Sequence, residues 1–373
     1  MTASPPPDAL RRSAQAWEGV DGRAMLARLA GEMRHLVPFD GGAWFATDPA
    51  TLMPTLPARV EGMDPGLCEV YWTGEFQQQD VMLYRDLARS PRGADTLLHA
   101  TDHVPDRSHR YREFLRPQGF VDELRAAFRL GGHTWGVLDL VRETGRAPFT
   151  AAEVDTVAGA GPVIAGALRA ILASPSSPES DAHRETPGTA IFDRDGALVS
   201  LDGQAEFWFG ELAGPDWDAP VPPPGMVAVA SVVARAAAVA SGRERGASTS
   251  RVRAANGRWI SLHASATRAT GGASGLTVLV LQSARSTQVA PIIAEAYTLT
   301  PREREVTEAV ARGRSNAEIA RELCLSAHTV RDHLTSVFAK VGVSSRGELV
   351  ATLFADLYDP VLRRPGEGLA AGT

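Results

Sequence analysis

The chain has 373 residues, of which 44% are hydrophobic, and its formal charge is −6. At roughly 100–200 residues per domain, this length predicts two or three globular domains. Cys68 and Cys324 are too few for a disulfide framework and lack metal-ligand spacing. No stretch reaches about 20 uninterrupted apolar residues, and the polar N-terminus has no signal-peptide core. The expectation is therefore a soluble, cytoplasmic, reduced protein without a membrane partner.

Residues 1–16 open on a Pro-rich, polar run and are expected to be disordered. A helical pattern follows, with Leu26, Leu29, Met33 and Leu36 at three- and four-residue spacing. Pro38, Asp40, Gly41 and Gly42 break it, and 43–47 reads as a strand. Residues 62–90 form a second helical stretch carrying Tyr71, Trp72 and Phe76, whereas 91–110 is polar and loop-like. The pair Gly131-Gly132 lies between two β-rich runs, 125–130 and 134–141, and predicts a hairpin. Thr150 and Glu153 make a capping box that starts a helix running to about Leu172.

Residues 173–187 are Ser-, Pro- and charge-rich and read as a linker. Beyond it, 190–193 and 197–200 flank an Asp195-Gly196 turn. Prolines 220, 222, 223 and 224 interrupt the chain before an Ala/Val-rich helix at 227–240. Three further strands are expected at 249–254, 259–264 and 276–281, with 286–298 as a linking helix. No internal repeat is visible in the sequence.

The C-terminal segment has the densest pattern. Thr300 is a helix N-cap, Pro301 takes the first helical position and Glu303 completes a capping box. Gly313 ends that helix, and Ser315 and Glu318 cap a second. Ser326 caps a third, whose one side carries Val330, Leu334, Val337, Phe338 and Val341. A fourth runs over 345–357. Two short helices across a tight turn form a helix-turn-helix unit. The third helix's other side holds His328, Thr329, Arg331, Asp332, Thr335 and Ser336: donors, an arginine and no large apolar side chain, as a major-groove reader requires. Capped helix N-termini also aim backbone N–H groups where a phosphate fits. The candidate DNA-binding set is Ser315, Asn316, His328, Thr329, Arg331, Asp332, Thr335 and Lys340, the last being the single lysine of the chain. Charge gives no support of its own, because eight basic residues face eight acidic ones between Tyr297 and Leu357.

With LTPREREV at 299–306, RGRSNAEIARELCLSAHTVRDHL at 312–334 and FAKVGVSSRGELVA at 338–351, the segment 299–357 resembles the LuxR-type helix-turn-helix family of bacterial transcription regulators. The resemblance implies an all-α, four-helix domain whose third helix enters the major groove. It puts base and phosphate contacts on Thr329, Arg331, Asp332 and Thr335, and a dimer contact on Leu349, Val350, Leu353 and Phe354. Asp332 departs from the basic or apolar residue common there; it either accepts from cytosine N4 or repels phosphate. Ala317 and His328 stand where lysines are common, which implies weak non-specific binding and dependence on dimerisation. A helical bundle for protein contacts and region 4 of sigma factors share this helix pattern, but nothing upstream resembles a sigma core-binding region.

Segment 17–172, with FDGGAWFATDP at 39–49 and WGVLDLVRETGRAPFTAAEVDTVAGAGPVIAGAL at 135–168, resembles a GAF domain. That implies an α+β sensor fold with a six-stranded antiparallel sheet and a pocket on one face. Trp44, Tyr71, Trp72, Phe76, Tyr84, Tyr111, Phe114 and Phe128 either line such a pocket or form ordinary core. Segment 188–285, with AIFDRDGALVSLDGQAEFWFG and a closing LTVLVLQ, is similar to a PAS domain, again α+β. Residues 286–298 then link to the DNA-binding domain, and 358–373 form a flexible tail. His99, His103 and His109 with Asp102 and Asp106 form either a solvated loop or a metal site. Pro105 breaks any helix that would align them, so no metal is expected. No nucleotide-binding, hydrolase or kinase signature occurs. The expectation is a multidomain, non-enzymatic regulator without cofactor. Its partners would be double-stranded DNA, a second copy of the chain, RNA polymerase and an unidentified small-molecule effector. The competing expectation is an interaction protein that titrates another regulator.

Overall fold

The computed structural model describes residues 22–173, 186–219, 223–268, 275–284, 288–289, 292, 295–297 and 299–354, with backbone alone at 311 and 351–354. The expected disordered start 1–16, most of the linkers 173–187 and 286–298, and the tail 358–373 lie outside the described residues. The chain divides into two compact units, one of residues 1–172 with 187–283, the other of 173–186 with 284–373.

The first unit contains two sheets. Helix α1 (Gly22–Leu36) precedes β1 (Gly41–Ala46), β2 (Arg59–Glu61), α2 (Cys68–Gln77), β3 (Ala94–Thr96), β4 (Phe120–Leu130), β5 (His133–Glu143) and α3 (Ala151–Ala173). The strands form one antiparallel sheet in the order β2-β1-β5-β4-β3. It has five strands among the described residues, where the GAF resemblance implied six. Gly131 and Gly132, at φ 62° and 84°, make the β4–β5 turn that a side chain would strain. Strand alternation then sorts the sheet's two faces. Phe128 lies against α3 at Gly161, and Gly136 approaches Leu168 of the same helix. The opposite face gathers Ala43, Phe45, Val137 and Val141 with Tyr71 and Trp72 of α2.

Helix α3 starts where Thr150 and Glu153 cap one another. It is long and apolar enough, by length and composition, to cross a membrane, with a mean hydropathy of 1.5. Its apolar side is nevertheless spent within the unit, where Val154, Val157, Ile164, Leu168 and Leu172 are all buried. The stretch 62–90 is not one helix. Helix α2 ends at Gln77, and the short turn Tyr84–Leu87 starts afresh, with the Tyr84 amide donating to Glu75 Oε1 at 2.7 Å. Polar 91–110 is also more ordered than its composition predicts: it holds β3 and a helical turn whose Leu97 is fully buried.

The second sheet is built from β6 (Gly188–Phe192), β7 (Leu198–Leu201), β8 (Ser248–Arg253), β9 (Trp259–Ala266) and β10 (Thr277–Ser283), with α4 (Gly203–Ala213) and α5 (Val227–Ala240) between β7 and β8. Its order, β7-β6-β10-β9-β8, repeats that of the first sheet strand for strand. The sequence shows no repeat because topology depends on where strands and turns fall, not on residue identity. Helix α4 was not legible as an element; Asp202 caps it, accepting from the Ala205 amide. Its Trp208 and Phe209 join Val232 of α5 and Leu279 of β10 in one core. The two halves are stitched together. Ser250 Oγ donates to Pro54 O at 2.7 Å, the Arg253 amide to Thr55 O at 2.8 Å, and Arg251 pairs with Asp48.

The second unit contains α6 (Pro301–Ala311), α7 (Asn316–Glu322), α8 (Ala327–Val341) and α9 (Arg346–Phe354). Val306, Val310, Ile319, Val330, Val337 and Leu349 form its buried centre. These four helices lie where the caps and apolar spacing predicted them.

Two glycines distinguish close backbone approach from mere absence of a side chain. A Cβ at Gly188 would lie 2.3 Å from the Ala205 nitrogen, whereas one at Gly166 meets only Leu130 Cδ2, at 3.8 Å. Gly188→Ala is expected to destabilise the first unit by roughly 1–3 kcal/mol through overpacking. Gly166→Ala, inside α3, is expected to stabilise it by about 1 kcal/mol. Urea unfolding followed by tryptophan fluorescence checks both signs.

Candidate nucleic-acid interface and cavity

Three caps set the helix-turn-helix. Thr300 and Glu303 cap α6 reciprocally, Ser315 and Glu318 do the same for α7, and Ser326 Oγ accepts from the Thr329 amide at the start of α8. The turn between α7 and α8 passes through Cys324 at φ 54°, a left-handed conformation with a steric cost for any residue but glycine.

Helix α8 buries Val330, Leu334, Val337 and Val341. His328, Arg331, Asp332 and Thr335 stay exposed. Their spacing of three, four and seven residues puts them on one side of the helix. The Arg331 guanidinium has no hydrogen-bond or ionic partner among the described residues. Thr335 donates back to Arg331 O at 3.0 Å, which leaves its oxygen free to accept. Asp332 lies 3.6 Å from the His328 imidazole. Thr329 is half-buried and lies 2.8 Å from Ser326 Oγ. Ser315 is exposed and donates to Glu318, whereas Asn316 is half-buried and accepts from Arg346 at 3.3 Å.

Lys340 is placed differently from the rest of the set. Its ammonium donates to Glu303 Oε2 at 2.6 Å, and Ser336 Oγ donates to Glu303 Oε1 at 2.6 Å. The residue that caps α6 therefore also anchors the middle and end of α8. Burial alone would raise the Glu303 pKa; hydrogen bonds from Lys340, Ser336 and Thr300 outweigh it and hold it at about 2. The sequence indicated only the capping half of this arrangement. Of the expected dimer residues, Leu349 is fully buried within its own unit and Val350 half-buried. The side chains of Leu353 and Phe354 lie outside the described residues.

The first unit has a cavity of about 270 Å³ against the inner face of the first sheet. Of the eight aromatic residues singled out, Tyr71, Trp72 and Phe114 line it. Phe45, Met63 and Cys68 line it as well and were not anticipated. Phe76 stacks on Trp72 with centroids 5.7 Å apart, Trp44 packs on Phe39, and Phe128 faces the other way onto α3. Tyr84 contacts the Tyr71 hydroxyl at 2.6 Å, and Tyr111 packs at the margin of the same cluster.

Behind Tyr71 lies a buried ionic network. Arg125 donates to Glu75 at 3.0 Å, to the Tyr71 hydroxyl at 3.1 Å and to Met82 O at 2.9 Å, with its guanidinium 3.6 Å from the centre of the Tyr84 ring. Arg110 binds both oxygens of Glu123, and Tyr71 donates to Asp139 at 3.1 Å. Burial, reinforced by Glu123, pushes Asp139 well above the usual carboxylate range and favours its neutral form. Burial also disfavours ionised Glu123, but Arg110 and Arg125 hold it below its ordinary value. Among the described residues no group of three His, Cys, Asp or Glu side chains is placed to hold a metal. His99 instead pairs with Asp95 at 2.8 Å.

Residues 297–353 match the family of bacterial regulatory proteins of the luxR type. The spore germination protein GerE of Bacillus subtilis is 44% identical over 55 residues, which cover 15% of this chain and 74% of GerE. A protein named as an HTH-type transcriptional regulator in Mycobacterium bovis is 51% identical over 53 residues, or 14% of this chain. The chain spans only 6% of that protein's length. Among solved structures, the crystal structure of the phage VqmA–DPO complex aligns over 48% of this chain and 87% of its own. Its sequence identity is 22% and its TM-score 0.24, too low to transfer an arrangement.

Glu303 is depressed in the folded state, so its contribution to stability is present above about pH 5 and is lost as pH falls through the range from about 4 to 2. Glu303→Gln is expected to cost roughly 1–2 kcal/mol at pH 7 and to remove that acid-side loss. Amide exchange in α6 and α8 between pH 3 and 7 is the measurement. In the first unit, Asp139→Asn keeps a neutral polar group and is expected to cost less than about 1.5 kcal/mol. Glu123→Gln, which leaves buried Arg110 with only the more distant Asp80 carboxylate, 3.9 Å away, as counter-charge, should cost about 3 kcal/mol by urea unfolding.

Proposed function

We propose that this chain, which belongs to the LuxR family of bacterial regulatory proteins, is a sequence-specific DNA-binding transcriptional regulator. The observation that carries this reading is the exposed stripe of α8. Arg331 stands there unpaired between His328, Asp332 and Thr335, and the rest of the helix is fixed by its buried side and by Glu303. An unpaired guanidinium on a rigid, convex helix is suited to the two acceptors of guanine in the major groove. Asp332 and Thr335 add acceptors for a neighbouring cytosine or adenine, and Ser315 and Asn316 lie where α7 would cross the phosphate backbone.

The finer reading assigns 17–172 to a GAF-like sensor and 188–285 to a PAS-like domain. It rests on two antiparallel sheets, each with five strands in the same order among the described residues, and on the cavity at the first sheet. An effector in that cavity would shift the equilibrium between protomer pairings. The two recognition helices would then sit about one DNA turn (~34 Å) apart, or not. Dimerisation through Val350 and the end of α9, contact with RNA polymerase and a cytoplasmic site of action complete the proposal. The protein would act as a one-component regulator without enzymatic activity.

Selection of genomic DNA fragments by the full chain across a salt series tests this. The expected result is enrichment of an inverted repeat whose affinity falls as salt rises. Arg331→Ala should then weaken the selected site by about 1–3 kcal/mol and relax preference at one base position per half-site. If no DNA is enriched, or Arg331→Ala changes neither affinity nor preference, the interaction-protein reading replaces it.

A further inference from the structure

The cavity of the first unit has walls from two distant stretches of chain. Tyr71, Trp72 and Phe114 come from the first sheet's half, and Pro223, Pro224 and Val227 from the segment that leads into α5. The polar atoms of the aromatic wall are already committed. The Tyr71 hydroxyl meets Tyr84 at 2.6 Å, and Asp139 and Arg125 at 3.1 Å each. The Trp72 indole nitrogen is inaccessible and is shared with the Cys68 thiol one turn earlier on α2. Burial keeps that thiol protonated, with its pKa pushed up to about 12.

The prolines of the wall are equally inert. Proline has no amide N–H to donate. The carbonyls of Pro65, Pro223 and Pro224 already accept from the amides of Cys68, Met226 and Ala58. Among the described residues Asp64 is the only charged one on the wall; it is exposed, and its Oδ1 accepts from the Gly66 amide at 2.8 Å. A buried water needs about two to four polar partners, and this wall has none to spare. The walls are also held from behind. Arg125 ties the Tyr71 hydroxyl to Glu75, and Gly225 lies so close to α4 that a Cβ would sit 2.1 Å from Leu212 O. The space left between them is about 270 Å³. An apolar cavity of about 150 Å³ stays dry and accepts benzene, so on that scale this one accepts about ten carbon atoms.

We propose that this cavity takes an uncharged, hydrocarbon-like molecule of about ten carbon atoms, selected by burial alone, and that its occupancy is registered where Pro224 meets Ala58. This rests on the sensor reading above and deepens it by naming the ligand class and the wall that responds. Burial of apolar surface supplies the affinity. A charged or hydroxyl-bearing end gives up its hydration and finds no partner inside. A body that fills the cavity touches the aromatic wall and the segment 223–227 together. It therefore steadies the hydrogen bond from the Ala58 amide to Pro224 O, which is long at 3.3 Å.

Three probes of equal size that differ only at the chain end test this in titrations of the full chain: n-butylbenzene, 3-phenylpropan-1-ol and 3-phenylpropylammonium. The hydrocarbon is expected to bind at least about tenfold more tightly than the alcohol and about a hundredfold more tightly than the ammonium. Val227→Trp, which fills one wall, should remove binding. Met63→Ala, which enlarges the cavity, should shift the preference to n-hexylbenzene, and it carries the test if Val227→Trp does not fold. n-Butylbenzene should also slow hydrogen exchange at the Ala58 amide at least about threefold. The proposal is overturned by any of four results: no binding of n-butylbenzene, an alcohol or ammonium bound as tightly, binding untouched by both variants, or an unchanged Ala58 amide. Binding to the selected DNA, measured on the same samples, keeps the two readings apart. Probe uptake that leaves DNA affinity unchanged supports the site and rejects the sensor reading, and intact DNA binding without probe uptake rejects the site alone.

Discussion

The Glu303 carboxylate receives the amide of Thr300, the hydroxyl of Ser336 and the ammonium of Lys340, and so joins the start of α6 to two successive turns of α8. A helix with one buried stripe is free to rotate by small angles about that stripe. Two hydrogen bonds a turn apart remove that freedom. The direction in which Arg331 and Thr335 point is thereby coupled to a cap on a different helix. A carboxylate with three donors is stabilised as the anion, so the arrangement is robust at neutral pH and fragile only in acid.

The first unit depends on a different compromise. The inner face of its sheet carries Glu123, Arg125 and Asp139 on β4 and β5, where strand alternation would ordinarily place apolar side chains. Such charges tend to be less stabilising than a hydrocarbon core of equal volume, but their geometry is directional. Arg125 fixes the hydroxyl of Tyr71, the carboxylate of Glu75 and the carbonyl of Met82 relative to one another. The aromatic wall of the cavity is thus set by hydrogen bonds behind it as well as by packing. One proton retained on the Asp139–Glu123 pair keeps the buried charge close to balance.

The second unit was legible in the sequence because each helix announces its own start. Thr300, Ser315 and Ser326 are local signals, and their capping partners lie three residues away. Gly131-Gly132 and Asp195-Gly196 marked hairpins for the same reason. What the sequence left hidden is non-local. The burial of the charged residues of β4 was not visible because their partners, Glu75 and Arg110, come from other elements. The pairing of Lys340 with Glu303 was not visible because the two lie 37 residues apart. The cavity aromatics could not be told from core aromatics, since Tyr71 and Phe76 share a helix and only one of them lines the cavity. Helix α4 was hidden by a run of Phe207, Trp208 and Phe209 that fits a strand as readily as a buried helix.

Helix α3 has the hydropathy of a membrane span and yet belongs to a folded core, and the order of the chain bears on how that is achieved. During synthesis its 23 residues emerge only after β1, β4 and β5 have been made. The β4–β5 hairpin is local and closes early, whereas β1 must find β5 across more than 80 residues. A growing chain therefore already holds the surface that covers α3 before α3 leaves the ribosome. Anything that delays the hairpin, such as a side chain at the Gly131-Gly132 turn, lengthens the interval in which a long apolar helix has no partner of its own. The translation order of this chain is in that sense part of its protection against aggregation.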